Sequence, residues 1–430
     1  MKKFAFILIM VSIVGPAFCQ PADTDPNIPV TLADYLRVAA TNNAGLKSSF
    51  EQWRMAAAGV PQAEALADPR FTYGYFIEEV ETRTGPQKQR FSLSQTFPWF
   101  GTIESRSDAA AATAQAAYKR YEADKLKLFR QVKSGFYEYG YLHEAIEIAR
   151  QNLELLKHFE QVAQARYRTA ATSHPDMIRA QIELAMLEDH LTGLENMRIP
   201  IESRLNALLN RSMDAPLAQP QRTDSVLLDV DPALIAGLIA ERNPEIAALQ
   251  KDIQSARHRV RFAQKRYYPD VTLGVDWIQT DEARADDVWG SGRDPIIAMV
   301  SFNIPLWGDS YRAGEQQARA SMRATRQKKE QMQLDLSAQA ADVLYQVAET
   351  RRKAALYENT LIPKGKEMVE VSESSYRAGG VDFLNLIDAQ RKLLTFEVTY
   401  QRILTDHLQA LAQLELLTGG QIPEREHKQH

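Results

Sequence analysis

The side chains best able to hold a metal ion or carry a proton are the histidines, and their spacing argues against both. The eight histidines are scattered, and His143, His158, His190 and His258 have no second histidine three or four residues on. That spacing is what places two ligands on one helix face. Met177 and Met186 do not form a cluster, and Cys19 is the only cysteine. His427 and His430 sit in a polar tail whose composition reads as disordered. No HExxH, phosphate-binding loop, Ser-His-Asp or paired-carboxylate signature stands in a pocket-forming context. The residues therefore point to a protein that is not an enzyme, with no cofactor and no metal site. Its function must lie in the elements themselves.

The chain opens with Lys2 and Lys3, an apolar run from Phe4 to Val14, and the small-residue stretch Gly15-Pro16-Ala17-Phe18-Cys19. This is a signal-peptide pattern over residues 1–19. The run falls short of the roughly 20 residues a spanning helix needs. Lipid attachment at Cys19 would favour a small residue before it, and Phe18 stands there, so ordinary cleavage after Cys19 is expected. The exported chain would then contain no cysteine and no disulfide. A net charge of −4 over 430 residues argues against a nucleic-acid partner. No later segment is long and apolar enough for a membrane helix. A soluble periplasmic protein or a β-barrel remains, since only helices and closed barrels cross a bilayer.

The chain repeats itself. Asn43, Pro69 and Gly74 recur 200 residues later as Asn243, Pro269 and Gly274. Pro98 and Gly101 recur 207 later as Pro305 and Gly308, and Tyr167 and Gln181 recur 209 later as Tyr376 and Gln390. A period this long is two copies of one large unit rather than a solenoid. The boundaries expected are 20–220 for the first copy, 221–420 for the second, and 421–430 for a polar tail.

Each copy reads in the same order. A helix of about 35 residues comes first, over 31–66 and again over 232–267. Two segments of strict period two follow, as strand pairs at 69–98 and 269–305. Phe71, Tyr73, Tyr75 and Ile77 alternate with Thr72 and Gly74, and Phe91, Leu93 and Phe97 alternate with serines and threonines. The second copy offers Val271, Leu273, Val275 and Trp277, then Ala298, Val300, Phe302 and Ile304. Each is a strand with one apolar and one polar face. Pro98 and Pro305 are expected to end the second strand of each pair. Polar links near Glu78–Lys88 and Thr280–Asp294 read as exposed loops or plain hairpin turns.

Beyond each strand pair lies a long stretch rich in Ala, Gln, Lys and Glu, free of proline until Pro175 and Pro363. At 1.5 Å per residue, a helix of some 65 residues would reach about 100 Å. A turn follows, near 169–175 as YRTAATSHP and near 378–383 within YRAGGVDFLNLIDAQ. The return helices carry Leu184, Leu187, Leu191 and Leu194, matched by Leu393, Phe396, Tyr400 and Ile403, at coiled-coil spacing. A strand of about ten residues is the length that spans an outer membrane, and aromatics cluster at the strand ends (Trp99, Tyr267, Tyr268 and Trp307 among them). Four strands cannot close a barrel, and lipid does not tolerate open edges. Three copies would supply twelve strands, an even number within the known range. The competing reading is a periplasmic coiled-coil scaffold whose strands merely cover the coil.

The order of helix, strand pair ending in FPWFG, long helix, YR turn and return helix, all duplicated, resembles the TolC-type outer membrane efflux proteins. The likeness covers about residues 30–420, and YRAGGVDFLNLIDAQ is its most specific stretch. The resemblance implies an α+β membrane protein, a homotrimer with a 12-stranded outer-membrane β-barrel, four strands per chain, continuous with a long periplasmic α-helical barrel. It implies the exit duct of a tripartite efflux pump, with a periplasmic adaptor and an inner-membrane transporter, the RND type being one candidate class. Hairpin tips for the adaptor would be Thr169, Ala170 and Ala171 in the first copy and Ala378, Gly379, Gly380, Val381 and Asp382 in the second. The second hairpin would narrow the channel at Asp388, with Asn385 where another acid often stands. Three Asp388 carboxylates on the axis would favour cations; otherwise Asp388 is a solvated helix charge. Asp382 could also be a helix N-cap.

Overall fold

The computed structural model describes residues 29–168, 174–218 and 231–422. The expected leader at 1–19 and most of the tail at 421–430 lie outside the described residues. The first copy folds as α1 (Leu32–Asn42), α2 (Ala44–Glu64), β1 (Arg70–Thr82), β2 (Gly85–Phe97), α3 (Thr102–Arg168) and α4 (His174–Leu209). The second folds as α5 (Pro232–Arg242), α6 (Pro244–Lys265), β3 (Val271–Thr280), β4 (Ile296–Phe302), α7 (Gly308–Leu356), α8 (Ile362–Ala378) and α9 (Phe383–Thr418). A π-helical turn at Tyr357–Leu361 joins α7 to α8.

The single helix expected at the head of each copy is in fact two, because Asn43 and Asn243 break it. Each leaves the helical region of the backbone, with ψ near 120°. The Asn43 carboxamide oxygen accepts from the Leu46 N–H at 2.9 Å, and its amide donates to the Leu208 carbonyl at the end of α4, also at 2.9 Å. Asn243 does the same in the second copy. It accepts from the Glu245 and Ile246 N–H groups and donates to the Leu417 carbonyl of α9 at 2.9 Å. One side chain thus caps a helix start and satisfies a carbonyl at another helix's end. Pro244 adds a second cause, since the residue before a proline is pushed out of the helical region.

α3 runs 67 residues without a break, as the sequence leads one to expect. Its counterpart is interrupted near Pro363, which has no N–H and whose ring would strike the carbonyl four residues back. The wider π turn relieves this, with the Ile362 N–H reaching back to the Tyr357 carbonyl. α3 is the spine of the molecule and packs against α2, α4, α6 and α9. Leu187, Leu393 and Ile403 of the expected seams are buried and the other seam residues are half-buried. Pro175 lies in the first turn of α4, where a missing N–H costs nothing.

The four strands make one antiparallel sheet in the order β1-β2-β3-β4. The link expected near Glu78–Lys88 is mostly strand. β1 continues to Thr82 and β2 begins at Gly85, and the Thr82 hydroxyl closes the turn on the Gly85 carbonyl at 2.7 Å. Ion pairs replace apolar contacts there: Lys88 bridges Glu79 and Asp281, and Arg284 reaches Glu79 and Glu81. β4 stops at Phe302, ahead of Pro305, because the Asn303 side chain takes the Asp270 N–H.

Asn243→Ala is expected to cost about 1 kcal/mol for the lost cap and about 1–2 kcal/mol for the buried Leu417 carbonyl left unpaired. Asn243→Ser, which keeps an acceptor, should recover the first part only. Thermal unfolding of the detergent-extracted protein, followed by circular dichroism, reads both; wild-type melting in the alanine variant would remove Asn243 from this role.

Candidate functional site

The strand register sorts the sheet into two unlike faces. On one, Tyr73 pairs with Phe91, Phe91 with Trp277 and Trp277 with Ile296, so an apolar row crosses all four strands. The Phe91 and Trp277 rings stack at 5.1 Å and Tyr73 tilts against Phe91 at 5.3 Å. A second row joins Phe71, Leu93, Val275 and Ala298. Among the described residues no element covers these rows: Phe71, Tyr73, Tyr75, Leu93, Leu273, Val275 and Val300 are exposed, and Ile77 is 92% exposed. Phe97 and Trp307 are exposed as well, while Trp99 is half-buried and stacks on Tyr268 at 5.1 Å.

The opposite face carries Thr72, Ser92, Asp276, Ser94, Gly274, Thr96 and Thr272. Thr96 and Thr272 share a hydrogen bond of 2.9 Å between their hydroxyls. Arg90 donates to Asp276, whose carboxylate is fully buried. Ile278 of β3 and Ile297 and Met299 of β4 are the apolar exceptions on this face. β1 and β4 form the two edges, and among the described residues neither has a second strand beside it. No described helix is long and apolar enough to cross a membrane.

At the far end of the molecule lies the second hairpin tip. Ala378 is the last residue of α8, and Gly379 takes the left-handed conformation with φ 82°. The Gly379 N–H donates to the Tyr376 carbonyl at 3.0 Å and the Gly380 N–H to the Ser375 carbonyl at 2.8 Å. This pairing stops a helix while satisfying its last carbonyls. Only Gly379 needs glycine for its backbone; a Cβ on Gly380 would meet the Ser375 carbonyl at an ordinary 3.5 Å. Val381 is half-buried against the neighbouring core. Asp382 occupies the N-cap position of α9 but its side chain caps nothing; the backbone carbonyl accepts from the Asn385 N–H instead. The first tip, with Thr169, Ala170 and Ala171, lies outside the described residues.

In the second copy the Tyr of the repeated Tyr-Arg pair is the tip's anchor, whereas its counterpart Tyr167 in the first copy is exposed. Tyr376 is buried, packs on fully buried Phe383 at 5.3 Å, and carries the Arg166 guanidinium over its ring at 4.6 Å. Arg377 pairs with Glu373 at 2.6 Å and contacts His158 of α3 at 2.9 Å. One turn into α9, Asn385 and Asp388 are both exposed on the same face. Asp388 is not solitary: Lys392 lies 2.7 Å from its carboxylate, four residues on. The Arg391 guanidinium hydrogen-bonds Glu183 of α4, which raises its already high pKa. Buried Gln390 donates to Asn152 of α3 at 3.0 Å, which explains the Ala-Gln ending of the motif in this copy.

The sequence profile of the family described as outer membrane efflux protein matches residues 36–211 and again 235–420. Nodulation protein T of Rhizobium leguminosarum bv. trifolii is 23% identical over 90% of this chain and 85% of its own. The cobalt-zinc-cadmium resistance protein CzcC of Cupriavidus metallidurans is 20% identical over 91% of this chain and 90% of its own. Among solved structures, the outer-membrane channel OprN superposes with a TM-score of 0.76 at 18% identity, covering 90% of each chain.

Gly379→Ala is expected to strain the tip by about 1–2 kcal/mol, the cost of a side chain in the left-handed region, while Gly380→Ala stays near neutral. Hydrogen exchange of residues 376–383 checks this. Faster exchange in the first variant alone is the expected outcome, and equal exchange in both would refute the assignment.

Proposed function

This chain belongs to the outer membrane efflux protein family, and we propose that it acts as a homotrimeric exit duct for a tripartite export system. It resides in the outer membrane and extends into the periplasm. The observation that carries the reading is the uncovered apolar sheet face on a chain whose helices run about 100 Å from it. Facing lipid, those rows of Tyr73, Phe91, Trp277 and Val275 cost nothing; facing water, they would be a large exposed patch. The edges at β1 and β4 then demand partners, because hydrocarbon leaves unpaired backbone groups unsatisfied. Two further copies close the ring at twelve strands, with the Thr, Ser and Arg90–Asp276 face toward the lumen.

The helices continue the wall inward from the membrane, and each chain brings two hairpins to the periplasmic end. Six tips per trimer present a near-sixfold rim on which a periplasmic adaptor docks, through Ala378, Gly379, Gly380, Val381 and Asp382 and their counterparts Thr169, Ala170 and Ala171. An inner-membrane transporter loads the duct from below. Asp388 and Asn385 line the narrow end. The Lys392 ammonium beside Asp388 offsets part of its charge, so the constriction favours cations weakly.

Two experiments test this function. Leu273→Arg and Val275→Arg are expected to block membrane assembly, since a cationic side chain at the bilayer midplane costs about 2–4 kcal/mol. Normal fractionation of both variants with the outer membrane would overturn the barrel. In planar bilayers under a salt gradient, Lys392→Gln should shift the reversal potential toward cation preference and Asp388→Asn away from it. Identical potentials for all three proteins would remove Asp388 from the aperture.

A further inference from the structure

Where β2 runs into α3 and α6 rises into β3, at the foot of the sheet, lies a pocket of about 620 Å³. Two of the acids that line it are already engaged. Asp108 lies 3.2 Å from His258, and Glu315 holds Arg319 at 2.7 Å and Gln264 at 2.9 Å. Three lining charges are left over: among the described residues Glu104, Arg261 and Lys265 make no ion pair. Two of the three meet over Gly101. A Cβ there would stand 3.5 Å from the Lys265 ammonium and 3.8 Å from the Glu104 carboxylate, and a φ of 77° already favours glycine. The two opposite charges thus face one space without closing on each other.

The hand of the sheet decides which side of the wall this space opens on. The Ile278 N–H, on the polar face, donates to the Pro295 carbonyl beside β4. For L-residues, seen from the apolar side with the hairpin turns uppermost, that direction puts β4 to the left of β3 and β2 to its right. α6 therefore climbs with α7 on its left, where Gln264 meets Glu315. α3 stands on its right, where Asp252 and Ser255 meet Arg120 and Ala109. A right-handed helix so placed turns Arg261, Lys265 and Tyr268 to the apolar side. The pocket is on the outside of the wall, not in the lumen. Two rings adjoin it on the membrane side: Trp99, stacked on Tyr268, and Phe100, which is 83% exposed. The headgroup layer on each side of a bilayer is about 5–7 Å deep, and one helical turn rises about 5.4 Å. Glu104, one turn beyond Gly101, and Lys265, one turn short of Tyr268, lie at that depth.

We propose that this pocket binds the headgroup of an ethanolamine phospholipid from the periplasmic leaflet. The phosphate sits between Lys265 and Arg261, four residues apart on one face of α6. The ammonium, two methylenes away, meets Glu104. A purely anionic headgroup would satisfy the two cations and leave the Glu104 carboxylate repelling it. The acyl chains rise past Trp99 and Phe100 toward the apolar face of the sheet. The inference rests on the lipid-facing sheet proposed above.

Native mass spectrometry of the delipidated, detergent-extracted protein tests the site, with dioleoyl phosphatidylethanolamine and dioleoyl phosphatidylglycerol as probes. The ethanolamine lipid is expected to bind several-fold more tightly. Lys265→Gln combined with Arg261→Gln should weaken that binding several-fold, and Glu104→Gln should abolish the preference between the two lipids. Equal binding of both lipids to the unsubstituted protein, or binding unchanged in the variants, would overturn the site. The preference of the unsubstituted protein needs no variant, and the oligomer mass in the same spectra checks the folding of each. Glycerophosphoethanolamine, the same headgroup without chains, should not displace the lipid at equal concentration. Displacement would show a soluble ligand and refute the membrane source. Fractionation of the unsubstituted protein away from the outer membrane would instead overturn the lipid-facing sheet, so the two failures are told apart.

Discussion

Hydrocarbon satisfies no backbone hydrogen bond, and that constraint shapes this molecule from end to end. A four-stranded sheet with one uncovered apolar face has two edges, β1 and β4, whose N–H and C=O groups need partners that the described residues do not supply. Closure by further copies resolves the edges, and closure in turn explains why the apolar and polar rows are kept so strictly apart. A single register slip would carry Phe91 and Leu93 to the lumen and Ser92 and Ser94 to the lipid. Arg90 and Asp276 sit on the polar side, where their charges are paired rather than exposed to an apolar phase.

The helices obey a second requirement, that two similar half-chains build a continuous wall. Asn43 and Asn243 show how local chemistry meets it: each ends one helix, starts the next, and ties the junction to the far end of a return helix. α3, flanked by α2, α4, α6 and α9, carries the contacts of both copies. The copies are not identical, however. Pro363 forces a π turn into the second long helix, and the second tip stops on Gly379 in the left-handed conformation, where the first copy's turn sequence has no glycine. Those departures fall in the hairpin that carries Asn385 and Asp388, so that hairpin is also the one whose helix is less regular.

Much of this was legible in the residues. Period-two alternation in Phe71–Ile77 and Val271–Trp277 specified which face of each strand is apolar, because side chains in a strand have only two directions. The proline-free stretches specified the length of α3, and the recurrence of Tyr-Arg and Ala-Gln marked the two hairpin ends. The break at Asn243-Pro244 was signalled too, by a residue that favours caps followed by one that restricts its predecessor. The reading of 232–267 as one helix passed over that signal because periodicity ran on through it. Charge misled at Glu78–Lys88, where polar composition suggested a loop. Cross-strand ion pairs let the same residues extend the strands.

Sequence by itself determined the duplication, the strand faces and the long hairpins, since each rests on local spacing that any neighbour must accept. Tertiary structure decided what the repeated residues are for. Tyr376 became an anchor only when folding brought Arg166 and Phe383 to its ring, and Gln390 found Asn152, 238 positions away in the chain. Lys392 became the partner of Asp388 by a chosen rotamer, where spacing alone permitted the contact without requiring it. Such contacts depend on which helices lie side by side, and that arrangement is a property of the packed chain rather than of any stretch within it.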